Sequence, residues 1–196
     1  MFDYITAQYH LHPMVDHFTI ALLFAGVGAE LAAALLFKQE GAGLKAIQTL
    51  RSCSLLLMAA GAVSAVLSYL TGDSEAGRLW DSIPQPARRI LSADDAAAQY
   101  LSHAALGRYL MYAFLLLGVW RGLIELSPRL ARWRVAFLAA AAIALAGLGY
   151  QGKTGGELVY EYGVGMKTSA PIHGQAGGAP AVDSYGRKPH NRLAPG

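Results

Sequence analysis

Three histidines crowd the start of this chain, His10, His12 and His17, and a fourth, His103, stands alone near its middle. Imidazole is the commonest protein ligand for transition metals and an axial ligand of haem iron, so these residues are the first candidates for chemistry. His17 and His103 each sit near the start of a long apolar run. On a helix, steps of four, seven and eleven residues from His17 reach Ala21, Phe24 and Gly28. The same steps from His103 reach Gly107, Leu110 and Phe114. Each histidine therefore heads a stripe of small and aromatic residues. A flat macrocycle held between two helices needs an axial imidazole, close backbone approach and apolar contacts. The expectation is a b-type haem with His17 and His103 as iron ligands, Gly28, Gly107, Phe24 and Phe114 against the ring, and His12 just above it. Arg108, Tyr109 and Tyr112 are candidates for the propionates or neighbouring polar groups. The plainer reading is that a single histidine at a helix end meets headgroups or completes a hydrogen bond. It is preferred for His103 taken alone and for His10. The spacing His10-x-His12-x4-His17 also suits a transition metal, although it matches no strong zinc pattern.

The elements that must position these residues follow from composition. Of 196 residues 54% are hydrophobic and only 15% are charged, against about 25% charged in a soluble domain. The charges collect in short stretches between apolar runs. Four runs reach spanning length: 13–37, 44–70, 100–120 and 133–150. At about 1.5 Å per residue the first extends ~37 Å, more than a hydrocarbon core of about 30 Å. Four spans are too few for a closed membrane barrel, so helices are expected. The predicted fold is an all-α membrane protein, a four-transmembrane-helix bundle built from two helical hairpins. Residues 1–12 form an extramembrane segment, 13–166 the transmembrane domain and 167–196 a Gly/Ala/Pro-rich C-terminal tail. A short surface helix is expected around Pro86 to Leu91. The stretch Gly155 to Gly165 alternates enough to read as an extended surface segment.

Within the bundle, Glu30 lies seven residues before Phe37, and Arg51 lies seven residues after Leu44, depths that match in antiparallel neighbours. An ion pair between them is expected, structural in role. Ala25, Ala29, Ala32, Ala33 and Ala139 to Ala142 suit close helix packing. Trp80, Trp120 and Trp133 read as interfacial anchors. A faint repeat places Gly72 55 positions after His17, and Gly156 53 positions after His103. The first and third loops carry Lys38, Lys45, Arg51, Arg121, Arg129, Arg132 and Arg134 against Glu40 and Glu125. The positive-inside rule then sets both termini outside the cytoplasm. The first twelve residues contain no Lys or Arg, so no secretory signal peptide is expected. The lone Cys53 allows no internal disulfide. No phosphate-binding loop, dinucleotide fingerprint, nucleophile elbow or H-E-x-x-H motif occurs, and the modest net charge of +3 does not suggest nucleic acid.

Two motifs carry a family likeness: Leu11-His12-Pro13-x-x-x-His17-Phe18-x-x-Ala21-Leu22, and Gly155-Gly156-Glu157-Leu158-Val159-Tyr160-x-x-Gly163-Val164. Between them the chain resembles, over about 11–166, the bacterial domain-of-unknown-function family 2231. That family comprises predicted four-helix inner-membrane proteins similar to the two-haem cytochrome b superfamily. The resemblance implies haem or electron transfer carried by His12, His17 and His103. A histidine often precedes the glycine pair in the family, whereas Gln151 and Lys153 stand in that stretch here. The expected function is a b-type cytochrome-like subunit passing electrons near the outer face of the inner membrane, to a membrane or periplasmic redox partner. The rival readings are a haem-free accessory or assembly subunit of a larger respiratory or photosynthetic complex, and a metal-handling protein using His10, His12 and His17.

Overall fold

The computed structural model describes residues 11–37, 43–92 and 102–165. All regular structure among them is helical: α1 (Leu11–Leu36), α2 (Leu44–Leu79), a 3₁₀ turn (Trp80–Ser82), α3 (Gln85–Leu91), α4 (His103–Leu126), α5 (Pro128–Ala131) and α6 (Arg134–Tyr160). Four helices, α1, α2, α4 and α6, are long and apolar enough to cross a membrane. Long apolar segments in lipid must satisfy every backbone group internally, which is why these sequences resolve as helices.

The four spans form a bundle of two antiparallel hairpins. Helix α1 packs along α2, α4 along α6, and the hairpins join where α2 meets α4 and α1 meets α6. Small residues set the closest approach within the first hairpin. A Cβ on Gly61 would lie 2.6 Å from Leu23 Cδ2, and one on Gly26 would lie 3.1 Å from the Met58 backbone nitrogen. Between the hairpins, a Cβ on Gly118 would come 3.2 Å from Ala62 Cβ. Such contacts drive helix association where no hydrophobic effect operates between helices. A buried hydroxyl pair, Thr19 Oγ1 to Ser64 Oγ at 2.6 Å, stitches α1 to α2. The centre is filled by Leu23, Val27, Met58, Leu110, Phe114, Leu117, Ile124, Phe137, Ala141 and Leu148.

Three boundaries differ from the sequence reading. Helix α2 continues past Thr71-Gly72 to Leu79, because Gly72 sits beneath a histidine ring and leaves no reason for a break there. Helix α4 reaches Leu126, so Arg121 is helical and buried rather than in a loop. Helix α6 runs on to Tyr160, so Gly155 to Tyr160 is helical and not an extended surface segment. Leu158 anchors that extra length by packing with Ile83, Ala87 and Leu91. The helix stops where Gly163 takes a left-handed φ of 65°, and Val164 N–H reaches back to Leu158 O at 3.0 Å, a role that favours glycine. The surface helix forms where expected, as α3. The last two residues of the expected 1–12 extramembrane segment, Leu11 and His12, belong to α1; residues 1–10 and the 167–196 tail lie outside the described residues.

Candidate functional site

At one end of the bundle, the N-termini of α1 and α4 bring in two imidazoles held in closely similar ways. His12, in the first turn of α1, places Nδ1 3.0 Å from the Ser68 carbonyl of α2. A carbonyl only accepts, so Nδ1 carries the proton and Nε2 keeps its lone pair. Thr71 Oγ1 stands 3.4 Å from the same Nδ1 and spends its own proton on Leu67 O. The ring lies over Gly72, where a Cβ would come 2.7 Å from Cε1.

His103, the first residue of α4, is capped into place by Ser102, whose hydroxyl accepts from Ala105 N–H. Its Nδ1 is 2.9 Å from Thr154 Oγ1 of α6. Thr154 donates to Gln151 O, so it accepts from His103 Nδ1–H, and Nε2 again holds the lone pair. Gly155 lies under this ring, a Cβ there meeting Cε1 at 3.1 Å. Gln151 Nε2 donates to the His103 carbonyl at 3.0 Å and sits 3.3 Å from His103 Nε2. Asp16 accepts from Ser68 Oγ at 3.0 Å.

This likeness is positional as well as chemical. His12 and His103 are 91 positions apart; Ser68 and Gln151, Thr71 and Thr154, and Gly72 and Gly155 are each 83 apart. The two hairpins repeat one another, and the counterpart of His103 is His12, not His17.

His17 goes elsewhere. Five residues past His12, it is turned about 140° around the helix, is exposed, and is 2.6 Å from Pro13 O through Nδ1. Its stripe faces outward with it: Phe24 is exposed, and a Cβ on Gly28 would meet nothing within 4 Å. The stripe headed by His103 faces inward, with Gly107 against Gln151 and Phe114 in the core. The cause is that α1 buries Thr19, Leu23, Gly26, Val27, Glu30 and Ala33, the side led by His12. The structure therefore does not bring the His17 stripe and the His103 stripe together. Arg108 is exposed and lies over the Tyr109 ring at 6.0 Å. His10 is outside the described residues, among which no three His, Cys, Asp or Glu side chains group to hold a metal.

The opposite end holds charged residues that the sequence reading paired differently. Glu30 does not pair with Arg51. Its Oε2 is 3.0 Å from Arg121 Nη2, with side chains 2% and 0% exposed, and its Oε1 bonds Arg134 Nη1. Arg121 also donates to Arg51 O at 2.7 Å and to Glu125 Oε2 at 2.9 Å. Arg51 instead stacks its guanidinium over the Phe37 ring at 5.7 Å. The signal that locates Arg121 is the repeat: Glu30 follows His12 by 18 residues and Arg121 follows His103 by 18, so both reach the same depth. Arg51 and Arg134 are likewise 83 apart.

As a cofactor site, the histidine end has a suitable donor set: two imidazoles from different hairpins, each with Nδ1–H anchored and Nε2 unprotonated, the orientation that second-shell hydrogen bonds give to ligating histidines. The space beside His103 Nε2 is taken by Gln151, which an iron ligand role requires to move aside.

A four-span helical membrane bundle with a polar cluster at each end is thus the class of protein that fold and site define. The family described as predicted membrane protein (DUF2231) matches residues 8–168, and the chain belongs to that family. No curated protein and no solved structure matches it significantly.

Proposed function

We propose that this chain is a b-type cytochrome-like electron-carrying subunit of the bacterial inner membrane, with His12 and His103 as the axial pair. The observation that supports the reading is the matched placement of the two imidazoles. Each spends Nδ1–H on the other helix of its own hairpin and leaves Nε2 unprotonated, that of His103 facing Gln151 Nε2 at 3.3 Å. A bound haem would supply one-electron carriage there. The chain's own contribution is to fix both tautomers through Ser68, Thr71 and Thr154, and to bring bare glycine backbone against both rings. The positive-inside rule, with Lys45, Arg129 and Arg132 exposed at the arginine end, sets that end toward the cytoplasm and the histidine end outward. A membrane or periplasmic redox protein is then the partner.

The test is a reduced-minus-oxidised optical spectrum of the full chain purified from membranes. Soret and alpha bands of a low-spin b haem are expected. Their complete absence in freshly prepared protein refutes the proposal and leaves the haem-free accessory subunit as the reading that stands.

A further inference from the structure

Arg51 and Arg134 hold equivalent places in the two hairpins, yet their surroundings differ in one respect. Arg134 pairs with Glu30 and Glu125. The hairpin repeat makes Ala34 the counterpart of Glu125 and Arg121 the counterpart of Glu30. Register agrees to within one residue: Leu23 lies on Gly61 and Gly26 on Met58, which sets Ala33 opposite Arg51 and Ala34 next to it. Where Arg134 meets two carboxylates, the repeat puts an alanine and an arginine at the corresponding places around Arg51.

Among the described residues no carboxylate lies within ion-pair distance of Arg51. Its Nε is buried without a hydrogen-bond partner, while Phe37 backs its planar face. The described residues of the cluster set three guanidinium groups, of Arg51, Arg121 and Arg134, against the carboxylates of Glu30 and Glu125. Among them one positive charge is left over in a partly buried setting, where an uncompensated charge is costly. Arg51 is also seven residues into α2, about 10 Å along the helix from Leu44, a depth from which a long arginine side chain reaches the interface.

We propose that Arg51 is the anchor of an anion site whose ligand is a singly charged phosphate, supplied by the headgroup of an anionic phospholipid. A guanidinium fork binds phosphate oxygens in pairs, and among the described residues the site lacks one negative charge. Inorganic phosphate carries the same chemistry, so the experiment separates the two sources. The site is independent of haem.

The full chain is reconstituted in nanodiscs holding equal phosphatidylglycerol and phosphatidylcholine, released, and its retained lipids are weighed by native mass spectrometry. Wild type is expected to retain phosphatidylglycerol about fivefold over phosphatidylcholine, the ratio one basic residue near an anionic surface provides. Arg51→Gln brings the ratio near one, and Arg132→Gln, at an exposed residue stacked on Trp133, leaves it high. Ala34→Glu supplies the missing carboxylate from within, so the preference falls and the unfolding temperature rises. If inorganic phosphate added to delipidated wild type raises the unfolding temperature, and does not for Arg51→Gln, the soluble ion is a source too. An unchanged phosphatidylglycerol preference in Arg51→Gln overturns the proposal, as does a wild type that prefers neither lipid and ignores phosphate.

Discussion

Replacing Glu30 by Gln isolates the energetics of the arginine end. The substitution keeps the shape of the side chain and removes the charge that faces both Arg121 and Arg134. At 3.0 Å, an effective dielectric of about 20 gives a gross Coulomb attraction of about 5 kcal/mol with Arg121. Both side chains are almost fully shielded from solvent, so the loss is not rescued by water. Removing one partner of a buried pair typically costs about 3–5 kcal/mol, because the other charge remains buried and unpaired. Glu125 Oε2 still holds Arg121 Nη1, which places the expected loss near the lower end of that range. Glu125→Gln is the matched control. Its side chain is 41% exposed, so screening holds its cost below about 1 kcal/mol. The assay is reversible unfolding in mixed micelles of graded denaturing-detergent content, followed by circular dichroism at 222 nm. A Glu30→Gln loss no larger than that of Glu125→Gln refutes the claim that Glu30 is the buried counter-ion of the bundle.

Other substitutions test the helix contacts and the tautomers. Gly61→Ala drives a Cβ into Leu23, itself fully buried, and is expected to destabilise by about 1–3 kcal/mol in the same unfolding assay. Gly28→Ala, where a Cβ meets nothing within 4 Å, is expected to be neutral or slightly stabilising, since alanine is the better helix former. Gly72→Ala pushes the His12 ring off its seat, and histidine ring NMR signals should show loss of the Nδ1–H···Ser68 O bond while His103 is unaffected. Thr154→Val removes the Nδ1 partner of His103, so nitrogen-15 shifts are expected to show a growing Nε2–H population. Thr71→Val leaves Ser68 O in place for His12 and should change its tautomer far less.

The spans were readable because their apolar runs exceed a bilayer's thickness and most charges fall between them. Ends were harder. Thr71-Gly72 and Gly155-Gly156 look like stops, since glycine weakens a helix in water; here Gly72 and Gly155 each admit an imidazole from the neighbouring helix, and the helices run on. The histidine site was half legible. Spacing picks out His103 and its inward stripe, whereas depth in the apolar run favours His17 over His12. Hydropathy alone does not say which side of α1 turns inward; Thr19, Gly26 and Glu30 decide that, and they share a face with His12. Arg121 was missed because it adjoins Trp120 and reads as a loop charge. Its depth, 18 residues from His103 as Glu30 is from His12, was the available clue.

The most direct test of the account compares optical spectra of full-length wild type with those of His12→Ala, His17→Ala and His103→Ala. B-type bands are expected in wild type and in His17→Ala, and their loss in His12→Ala and in His103→Ala. Bands that survive in His12→Ala and vanish in His17→Ala contradict it.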